Sequence, residues 1–360
     1  MYTYLITGGA GFIGSNFIHY ILNKHKDIFV INLDKLTYAG NLDNLKSIEG
    51  YKNYKFIKGD ICDEKLLEEI FSSYDVDYVV NFAAESHVDR SIKDSTIFVK
   101  TNVLGTQTLL NVAKEYWQEP DGGYNKKKKF LQVSTDEVYG SLGKEGYFRE
   151  TTPLDPRNPY SASKASADLI VKSYCDTYGF PASITRCSNN YGPYQFPEKL
   201  IPLVINNCLS GKKIPVYGDG LNIRDWLYVE DHCKAIDIVL RKGKMGDVYN
   251  IGGNNEVKNI DMVKILIKIV KELLNENDER KDLISEELIK FVEDRKGHDR
   301  RYAIDANKIK KKLGWVPETT FEEGIRNTVK WYLNNGEWLK NVTSGEYLKY
   351  YEEMYKERLD

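Results

Sequence analysis

The stretch TGGAGFIG, residues 7–14, decides how the first part of this 360-residue chain folds. A run of β-forming residues, Tyr2–Thr7, leads directly into it, and a helical pattern over Phe12–Lys24 follows. The spacing G-x-G-x-x-G falls at Gly9, Gly11 and Gly14. Glycines between a strand and a helix let the backbone turn tightly and approach a pyrophosphate, whose charge rests on the free N–H groups of the helix start. The stretch predicts a dinucleotide-binding unit; the alternative is a tight turn without a ligand.

An acidic residue follows the glycine-rich turn at the distance that such a unit requires. Asp34 lies twenty residues after Gly14, at the end of the second predicted strand. A carboxylate there accepts hydrogen bonds from the adenosine ribose diol and repels a 2′-phosphate. We therefore expect NAD rather than NADP, although the neighbouring Lys35 weakens this preference. The alternative for Asp34 is a helix-capping role.

The rhythm of strands and helices extends this unit into a parallel sheet. Strands are predicted over residues 27–33, 54–58, 77–82, 130–134 and 182–186, with helices between them. The expected fold is α/β: a Rossmann doubly wound parallel sheet over residues 1–188, followed by a smaller mixed α/β C-terminal substrate domain over residues 189–360. Parts of the later chain are allowed to cross back. The strand predicted over residues 247–251 is expected to stand alone.

Composition excludes several functional classes. Lysine and arginine total 51 against 53 acidic residues, so the net charge of -2 gives no general attraction to nucleic acid or anionic lipid. The five cysteines form no CxxC pair, which argues against a metal site or a disulfide framework and indicates a reducing compartment. No apolar run is long enough to span a membrane, and no signal peptide is evident. The expected location is the cytoplasm.

A second motif carries chemistry. Tyr160 and Lys164 are spaced by four on a predicted helix and so share a face. An ammonium group beside a phenol favours the phenolate and lowers the pKa of the tyrosine, producing a base that can take a hydroxyl proton. The strand that ends at Ser134-Thr135 can bring a hydroxyl to the same place. The alternative for Tyr160 is a surface position on an amphipathic helix.

These motifs together resemble the extended short-chain dehydrogenase/reductase superfamily, and most specifically its bacterial dTDP-glucose 4,6-dehydratase family. Nearly the whole chain carries the resemblance, in DKLTYAGN (34–41), AAESHVDRSI (83–92), STDEVYG (134–140), PYSASKASAD (159–168), RCSNNYGPYQFPEKLIP (186–202), RDWLYVEDH (224–232), YNIGG (249–253) and DRKGHDRRYAID (294–305). One departure is Lys296, where the family usually has proline; it is expected to loosen a turn near the diphosphate site.

The resemblance implies specific roles for residues of this sequence. Its NAD cofactor would be bound by Gly8, Gly11, Phe12, Ile13, Gly14, Asp34, Lys35, Thr37, Asp60, Ile61, Phe82, Ala83, Ala84, Ser86, Thr101, Tyr160, Lys164 and Asn190. A nucleotide-sugar substrate would be bound by Ser86, Thr135, Asn189, Lys199, Leu200, Pro215, Tyr217, Arg224, Asn255, Arg295 and His298. For Arg224 the alternative is a salt bridge to Asp225, and for His298 a position at a helix end.

The feature that distinguishes dehydration within the superfamily is Thr135-Asp136-Glu137. Dehydration needs one group to take the C5 proton and another to protonate the departing C6 hydroxyl, and adjacent carboxyls in different environments can hold opposite protonation states. The resemblance implies Glu137 as the base and Asp136 as the acid, with Thr135, Tyr160 and Lys164 completing the catalytic set. Alternatively, Asp136 and Glu137 only cap the next turn.

The implied reaction is NAD-dependent dehydration of dTDP-glucose to dTDP-4-keto-6-deoxyglucose, by oxidation at C4, elimination of water across C5 and C6, and reduction at C6. A UDP-sugar 4,6-dehydratase, a UDP-sugar 4-epimerase, a UDP-glucuronate decarboxylase and a catalytically silent NAD-binding protein are the alternatives. The resemblance also implies a homodimer built through a four-helix bundle. Its helices would be residues 96–116 and 160–178, with apolar stripes at Val99, Val103, Leu110, Ala165 and Leu169.

Overall fold

The computed structural model describes residues 1–295 and 297–359. Strands run over β1 Tyr2–Thr7, β2 Ile28–Asp34, β3 Tyr54–Lys58, β4 Tyr78–Asn81, β5 Lys129–Thr135, β6 Ala182–Cys187, β7 Asn189–Tyr191, β8 Ile214–Tyr217, β9 Ile223–Tyr228, β10 Val248–Ile251, β11 Glu256–Lys258 and β12 Ile289–Val292. Helices run over α1 Phe12–Lys24, α2 Glu64–Ser73, α3 Val88–Lys93, α4 Thr96–Phe98, α5 Thr106–Trp117, α6 Pro159–Tyr178, α7 Leu200–Leu209, α8 Val229–Lys242, α9 Asn259–Leu273, α10 Arg280–Leu283, α11 Asn307–Leu313, α12 Phe321–Asn334, α13 Gly336–Val342 and α14 Glu346–Leu359.

Seven of the strands form one parallel sheet in the order β10-β6-β5-β4-β1-β2-β3. In the central strand, Leu5 pairs with Ile31 of β2 and with Val79 of β4. The strand order reverses beside β1, which is the topological switch point where α/β folds bind ligands. The predicted Rossmann-type sheet is confirmed. The prediction that the strand near residues 247–251 stands alone is wrong, because β10 pairs with β6 and completes the sheet edge.

Helices cover both faces of this sheet because side chains alternate along each strand. Tyr4 and Ile6 of β1 point into a core shared with α1 and α8. Leu5, between them, points to the opposite core, which contains residues of α2, α5 and α6. These three β1 residues are completely buried. A strand buried on both faces needs an unbroken apolar run, which explains why β1 reads as a continuous hydrophobic segment.

A second core lies outside the large sheet. It is built from α7, α9, α12 and the small strands β8 and β9, with fully buried Val204, Met262 and Val329 at its centre. Here β9 lies between β11 and β7, and β12 pairs with β8. The short strands β7, β8, β9, β11 and β12 thus form two small sheets separate from the large one. Within the described residues no helix is long and apolar enough to cross a membrane.

The segment predicted as one helix over residues 96–116 is helical throughout but irregular inside. A π-helical turn, Val99–Gly105, lies between α4 and α5. Such turns insert an extra residue into the helix and are frequent at functional sites. Asn102 within this turn is buried, accepts a hydrogen bond from the Glu85 backbone N–H and donates one to the Ser163 hydroxyl, both at 2.8 Å. The π-turn therefore ties the loop after β4 to helix α6.

Candidate active site

A cleft of about 310 Å³ opens where β1, β2, β4, β5 and β6 end. Parallel strands present their carboxyl ends at one edge, so loops that are distant in sequence meet there. The cleft is lined by every residue predicted to contact the cofactor: Gly8, Gly11, Phe12, Ile13, Gly14, Asp34, Lys35, Thr37, Asp60, Ile61, Phe82, Ala83, Ala84, Ser86, Thr101, Tyr160, Lys164 and Asn190.

The glycine-rich turn leaves no room for side chains where the backbone must pass closely. Gly8 has φ +69°, and a Cβ atom there would lie 2.6 Å from the Ala83 backbone nitrogen. A Cβ atom on Gly14 would lie 2.4 Å from the Gly8 carbonyl oxygen. At Gly11, in contrast, a Cβ atom would meet only that same carbonyl, at 3.3 Å. Gly11 also precedes α1 without a side-chain cap, so this turn fits a pyrophosphate on the helix start.

The Asp34 carboxylate is held in place at the end of β2. It accepts hydrogen bonds from the Ala10 and Leu36 backbone N–H groups, at 2.9 and 2.8 Å. Lys35, which weakens the preference for NAD in the sequence, donates to the Asp60 carboxylate at 2.8 Å. Because that ammonium group already has an acidic partner, it offers little attraction to a 2′-phosphate. The donor set and the shape of the cleft fit NAD.

The catalytic candidates converge from two elements. Strand β5 ends at Thr135, whose hydroxyl accepts a hydrogen bond from the Glu137 backbone N–H at 3.3 Å. Helix α6 begins with a capping box between Asn158 and Ser161, which places Tyr160 in its first turn and Lys164 one turn later. The buried Lys164 ammonium donates to the Val133 carbonyl of β5 at 2.8 Å. The strand and the helix are thereby fixed to each other at the cleft.

The two adjacent carboxyl groups lie in different surroundings. Asp136 is 1% exposed, and one of its carboxylate oxygens has no hydrogen-bond partner among the residues that the structure describes. Burial, Glu137 and Asp225 together hold the pKa of Asp136 well above its ordinary range, despite the opposing Arg224. Burial also raises the pKa of Glu137, but the nearby cations Arg295, Lys199 and Arg224 oppose that shift. Asp136 therefore favours the protonated form, and Glu137 is better able to carry charge.

The prediction that Lys164 lowers the pKa of Tyr160 is wrong. Burial and the Glu137 carboxylate raise the pKa of Tyr160 well above its ordinary value, and only a hydrogen bond with Thr135 lowers it. Burial lowers the pKa of Lys164. The spacing of four residues correctly puts both side chains at the cleft, but burial and the Glu137 carboxylate set the direction of the Tyr160 pKa shift.

A second cavity of about 160 Å³ adjoins the cleft and shares residues with it. Its walls include the predicted substrate residues Asn189, Lys199, Leu200, Pro215, Tyr217, Arg224, Arg295 and His298. Glu137 lines both cavities. The predicted residues Ser86 and Thr135 line the cleft only. Glu137 thus lies at the junction where a molecule in the second cavity meets one in the cleft.

Arg224 and His298 do not occupy the alternative positions considered for them. The Arg224 guanidinium is buried, donates to the Ile223 and Asp299 carbonyls and lies 4.3 Å from the Tyr302 ring centroid. It has no ion pair with Asp225 among the described contacts. His298 lies in a loop rather than at a helix end, and its Nδ1–H donates to the Asp294 carboxylate at 2.6 Å.

Asn255 is the predicted substrate residue that the structure keeps away from both cavities. Its side-chain amide donates to the Trp226 and Gly253 carbonyls, and its backbone N–H donates to Asp225. The amide thus has local partners in the loop between β10 and β11. The expected loosening at Lys296 falls outside the described residues.

Three further residues line the site although they are not among the site residues predicted from the sequence. Glu198 and Gln195 are buried and line both cavities, and Cys187 lines the cleft. All three lie in the segment RCSNNYGPYQFPEKLIP (186–202), which carries the family resemblance, and that segment was the signal that could have found them.

Comparisons with known proteins agree with this geometry. The family model described as GDP-mannose 4,6 dehydratase matches residues 5–328. The dTDP-glucose 4,6-dehydratase of Xanthomonas campestris pv. campestris (strain B100) is 53% identical over 348 residues, covering 96% of this chain and 97% of that protein. A crystal structure of dTDP-glucose 4,6-dehydratase from Bacillus anthracis in complex with NAD is 52% identical, with TM-score 0.84, and covers 95% of this chain and 100% of that chain. The dTDP-glucose 4,6-dehydratase DesIV from Streptomyces venezuelae, with NAD and TYD bound, is 44% identical, with TM-score 0.86, and covers 94% of this chain and 99% of that chain. With the glycine turn, the Tyr160–Lys164 pair and the two carboxyl groups in place, this chain belongs to the dTDP-glucose 4,6-dehydratase family.

Proposed function

We propose that this protein is an NAD-dependent hydro-lyase that converts dTDP-glucose to dTDP-4-keto-6-deoxyglucose. The observation that carries the proposal is the Asp136–Glu137 pair at the junction of the two cavities. One carboxyl is buried and favours its protonated form, while its neighbour faces three cations. An oxidation or an epimerisation at C4 alone has no use for such an acid and base pair.

When bound in the cleft, NAD supplies a reversible hydride acceptor for C4 and the same hydride for C6. The lining residues around Gly11 and Asp34 would hold it. Tyr160 takes the proton of the C4 hydroxyl, and the Thr135 hydroxyl hydrogen-bonds the C4 oxygen. Lys164, fixed by the Val133 carbonyl, anchors the cofactor ribose and balances the charge of the phenolate.

The ketone at C4 acidifies the proton at C5, so that a carboxylate can remove it. Glu137 takes this proton, and the electron pair of the C5–H bond forms the C5–C6 double bond. The C6–O bond breaks, and Asp136 delivers its proton to the departing hydroxyl, which leaves as water. A proton returned to C5 and the hydride that bound NAD would supply to C6 would then complete the 4-keto-6-deoxy sugar.

The second cavity supports the binding of a nucleoside diphosphate sugar. Lys199, Arg224 and Arg295 bring three cationic groups to its wall, and a diphosphate carries the opposite charge. Arginine suits this anion because its planar guanidinium donates two parallel hydrogen bonds. Leu200, Pro215 and Tyr217 contribute an apolar surface that suits a nucleobase.

The proposed substrate is tested by assaying dTDP-glucose and UDP-glucose side by side. Formation of a 4-keto-6-deoxy sugar, read by its absorbance in alkali, is expected with dTDP-glucose as the better substrate. Greater activity with UDP-glucose would instead identify a UDP-sugar 4,6-dehydratase. Conversion to a C4 epimer without the keto sugar would identify a 4-epimerase, which uses Tyr160 and Lys164 but not the carboxyl pair.

We also propose a homodimer in the cytoplasm, assembled through the helical segment 96–117 and α6 of each subunit. The predicted stripes need a correction, because Leu110 and Ala165 are buried within the chain itself. Val99 and Leu169 are exposed, at 54% and 60%, and Leu104 is exposed beside them. An exposed apolar face on two adjacent helices suits a two-fold interface.

The predicted domain division after residue 188 becomes part of this proposal. Residues 1–188 would bind the cofactor, and residues 189–360 would bind the nucleotide sugar. Helices α8 and α11 and strand β10 are segments of the later chain that pack with the large sheet. Because these later segments pack on the large sheet, we propose two units that share a hydrophobic core rather than two separate domains joined by a linker.

A further inference from the structure

Two loops and one short helix of the active site meet at a cluster of side chains that the reaction itself does not require. The loop after β2 carries Tyr38, helix α3 after the β4 loop carries Arg90, and the loop before α7 carries Glu198. The Tyr38 hydroxyl donates to Glu198 Oε1 at 3.2 Å. The Arg90 guanidinium lies 3.8 Å from the Tyr38 ring centroid, and its Nε is 3.7 Å from Glu198 Oε2. We call these three residues the Tyr38–Arg90–Glu198 triad.

The energetic centre of the triad is the carboxyl group of Glu198. Its side chain is 2% exposed, and Oε2 has no hydrogen-bond partner among the described atoms. Burial raises the pKa of Glu198, while Lys199 and Arg90 oppose that shift. A buried carboxylate is tolerated when cations and donors surround it, and removal of one partner leaves its charge uncompensated. The two loops and helix α3 are therefore held together by the Glu198 carboxyl group, the Arg90 guanidinium and the Tyr38 hydroxyl, which stabilise one another.

Each loop of the triad also forms part of a ligand-binding wall. Thr37 and Ala39, on either side of Tyr38, line the cofactor cleft. Lys199, next to Glu198, lines the substrate cavity and donates to the Ser86 carbonyl at 3.0 Å. A chain of direct contacts thus runs from the wall around the cofactor ribose to a cation of the substrate cavity.

Two of these loops hold backbone conformations that they would not adopt alone. Leu36, two residues before Tyr38, has φ +56°, and Tyr194, four residues before Glu198, has φ +66°. Left-handed conformations are unfavourable for residues with a side chain and persist when surrounding contacts impose them. The Tyr38–Glu198 hydrogen bond is one contact that joins the two loops directly.

We propose that the Tyr38–Arg90–Glu198 triad couples cofactor binding to substrate binding. NAD in the cleft orders the β2 loop, and the triad transmits that order to the loop of Lys199, so that the substrate cavity is preorganised. The reverse also holds, because a coupling between two binding sites changes both affinities by the same factor. The inference rests on the proposed function. Tyr38 and Arg90 are positioning residues that act through the β2 loop and through Glu198, which itself lines both cavities beside Lys199.

The test measures, by calorimetry, the affinity of dTDP for the full-length protein after its bound NAD has been removed and again with saturating NAD. For the wild-type protein the affinity is expected to rise by about fivefold or more when NAD is bound. Tyr38→Phe removes the hydroxyl that bonds Glu198 but keeps the ring under Arg90, and it should bring this ratio close to one. Glu198→Gln removes the charge that pairs with Arg90 and should act in the same direction. In turnover assays both variants should raise KM for dTDP-glucose more than they lower kcat.

Tyr347→Phe is the matched control. The Tyr347 hydroxyl donates to the Pro197 carbonyl in the same loop at 3.4 Å, and its removal leaves the Tyr38–Glu198 bond in place. This variant should keep the wild-type affinity ratio. The inference fails if Tyr38→Phe keeps that ratio, or if Tyr347→Phe lowers it as much. A wild-type protein that does not turn over dTDP-glucose would defeat the proposed function, whereas normal turnover with unchanged coupling in Tyr38→Phe would defeat the triad alone.

Discussion

Replacing Glu137 by Gln separates oxidation from elimination. The amide keeps the shape of the side chain but cannot accept the C5 proton. The hydrogen bond between the Glu137 backbone N–H and the Thr135 hydroxyl does not depend on the side chain and should persist. Loss of a positioned general base typically costs about 100- to 10,000-fold in rate. At about 1.4 kcal/mol per tenfold, the barrier to turnover should rise by roughly 3 to 6 kcal/mol.

The same substitution should leave the first step intact or ease it. After burial itself, the Glu137 carboxylate is the largest cause that raises the pKa of Tyr160. Its removal lowers the free energy needed to form the phenolate, so Tyr160 should still take the C4 hydroxyl proton. Rapid mixing of Glu137→Gln with dTDP-glucose should therefore show enzyme-bound NADH that forms and then decays slowly. Incorporation of solvent deuterium at C5 should slow together with turnover.

Two further variants make this test decisive. Tyr160→Phe should abolish the oxidation at C4, so little bound NADH should be detected. Glu150→Gln is the matched control, because Glu150 accepts a hydrogen bond from the Asn250 backbone outside both cavities and should not affect turnover. Near-native turnover of Glu137→Gln, or loss of C4 oxidation as complete as in Tyr160→Phe, would refute Glu137 as the elimination base.

Four more outcomes are expected. Because the hydride returns within each turnover, protein purified without added NAD should keep some activity, and NADH accumulating in step with product would contradict a closed cycle. The rate should have a bell-shaped dependence on pH. Burial raises the pKa of Glu137, so the base becomes protonated as pH falls through a value above 4.5. The pKa of Asp136 is also raised, so the acid loses its proton only at higher pH. A rate that stays constant down to pH 4.5 would contradict this. Asp34→Ala should weaken NAD binding by roughly tenfold or more, because the ribose loses a charged acceptor, whereas unchanged affinity in a titration would exclude that role. Light scattering at micromolar concentration should give twice the chain mass of 41.5 kDa, and Leu169→Glu should give the monomer; a wild-type monomer would defeat the proposed interface.

Local signals in the sequence were sufficient for the framework of the site. The turn at residues 7–14 needs glycine because a Cβ atom at Gly8 or Gly14 would lie within about 3 Å of backbone atoms, and the spacing of the glycines is visible without any tertiary information. The spacing of Tyr160 and Lys164 depends only on the pitch of a helix. Strands β1 and β3 and helix α1 begin and end where the pattern predicts, since apolar periodicity and flanking breakers act over a few residues.

Other properties depended on which segments meet in space. The pairing of β10 with β6, the enclosure of Glu198 and the distance of Asn255 from both cavities involve residues far apart along the chain. The direction of the Tyr160 pKa shift belongs here too, because burial and the Glu137 carboxylate set it. Sequence by itself determined the turn, the sheet and the residue types available for catalysis, since these follow from local backbone geometry. The burial and the neighbours of each group follow only from the tertiary structure. They set the charge and the role of the group because desolvation and Coulomb energies depend on distances in space rather than in sequence.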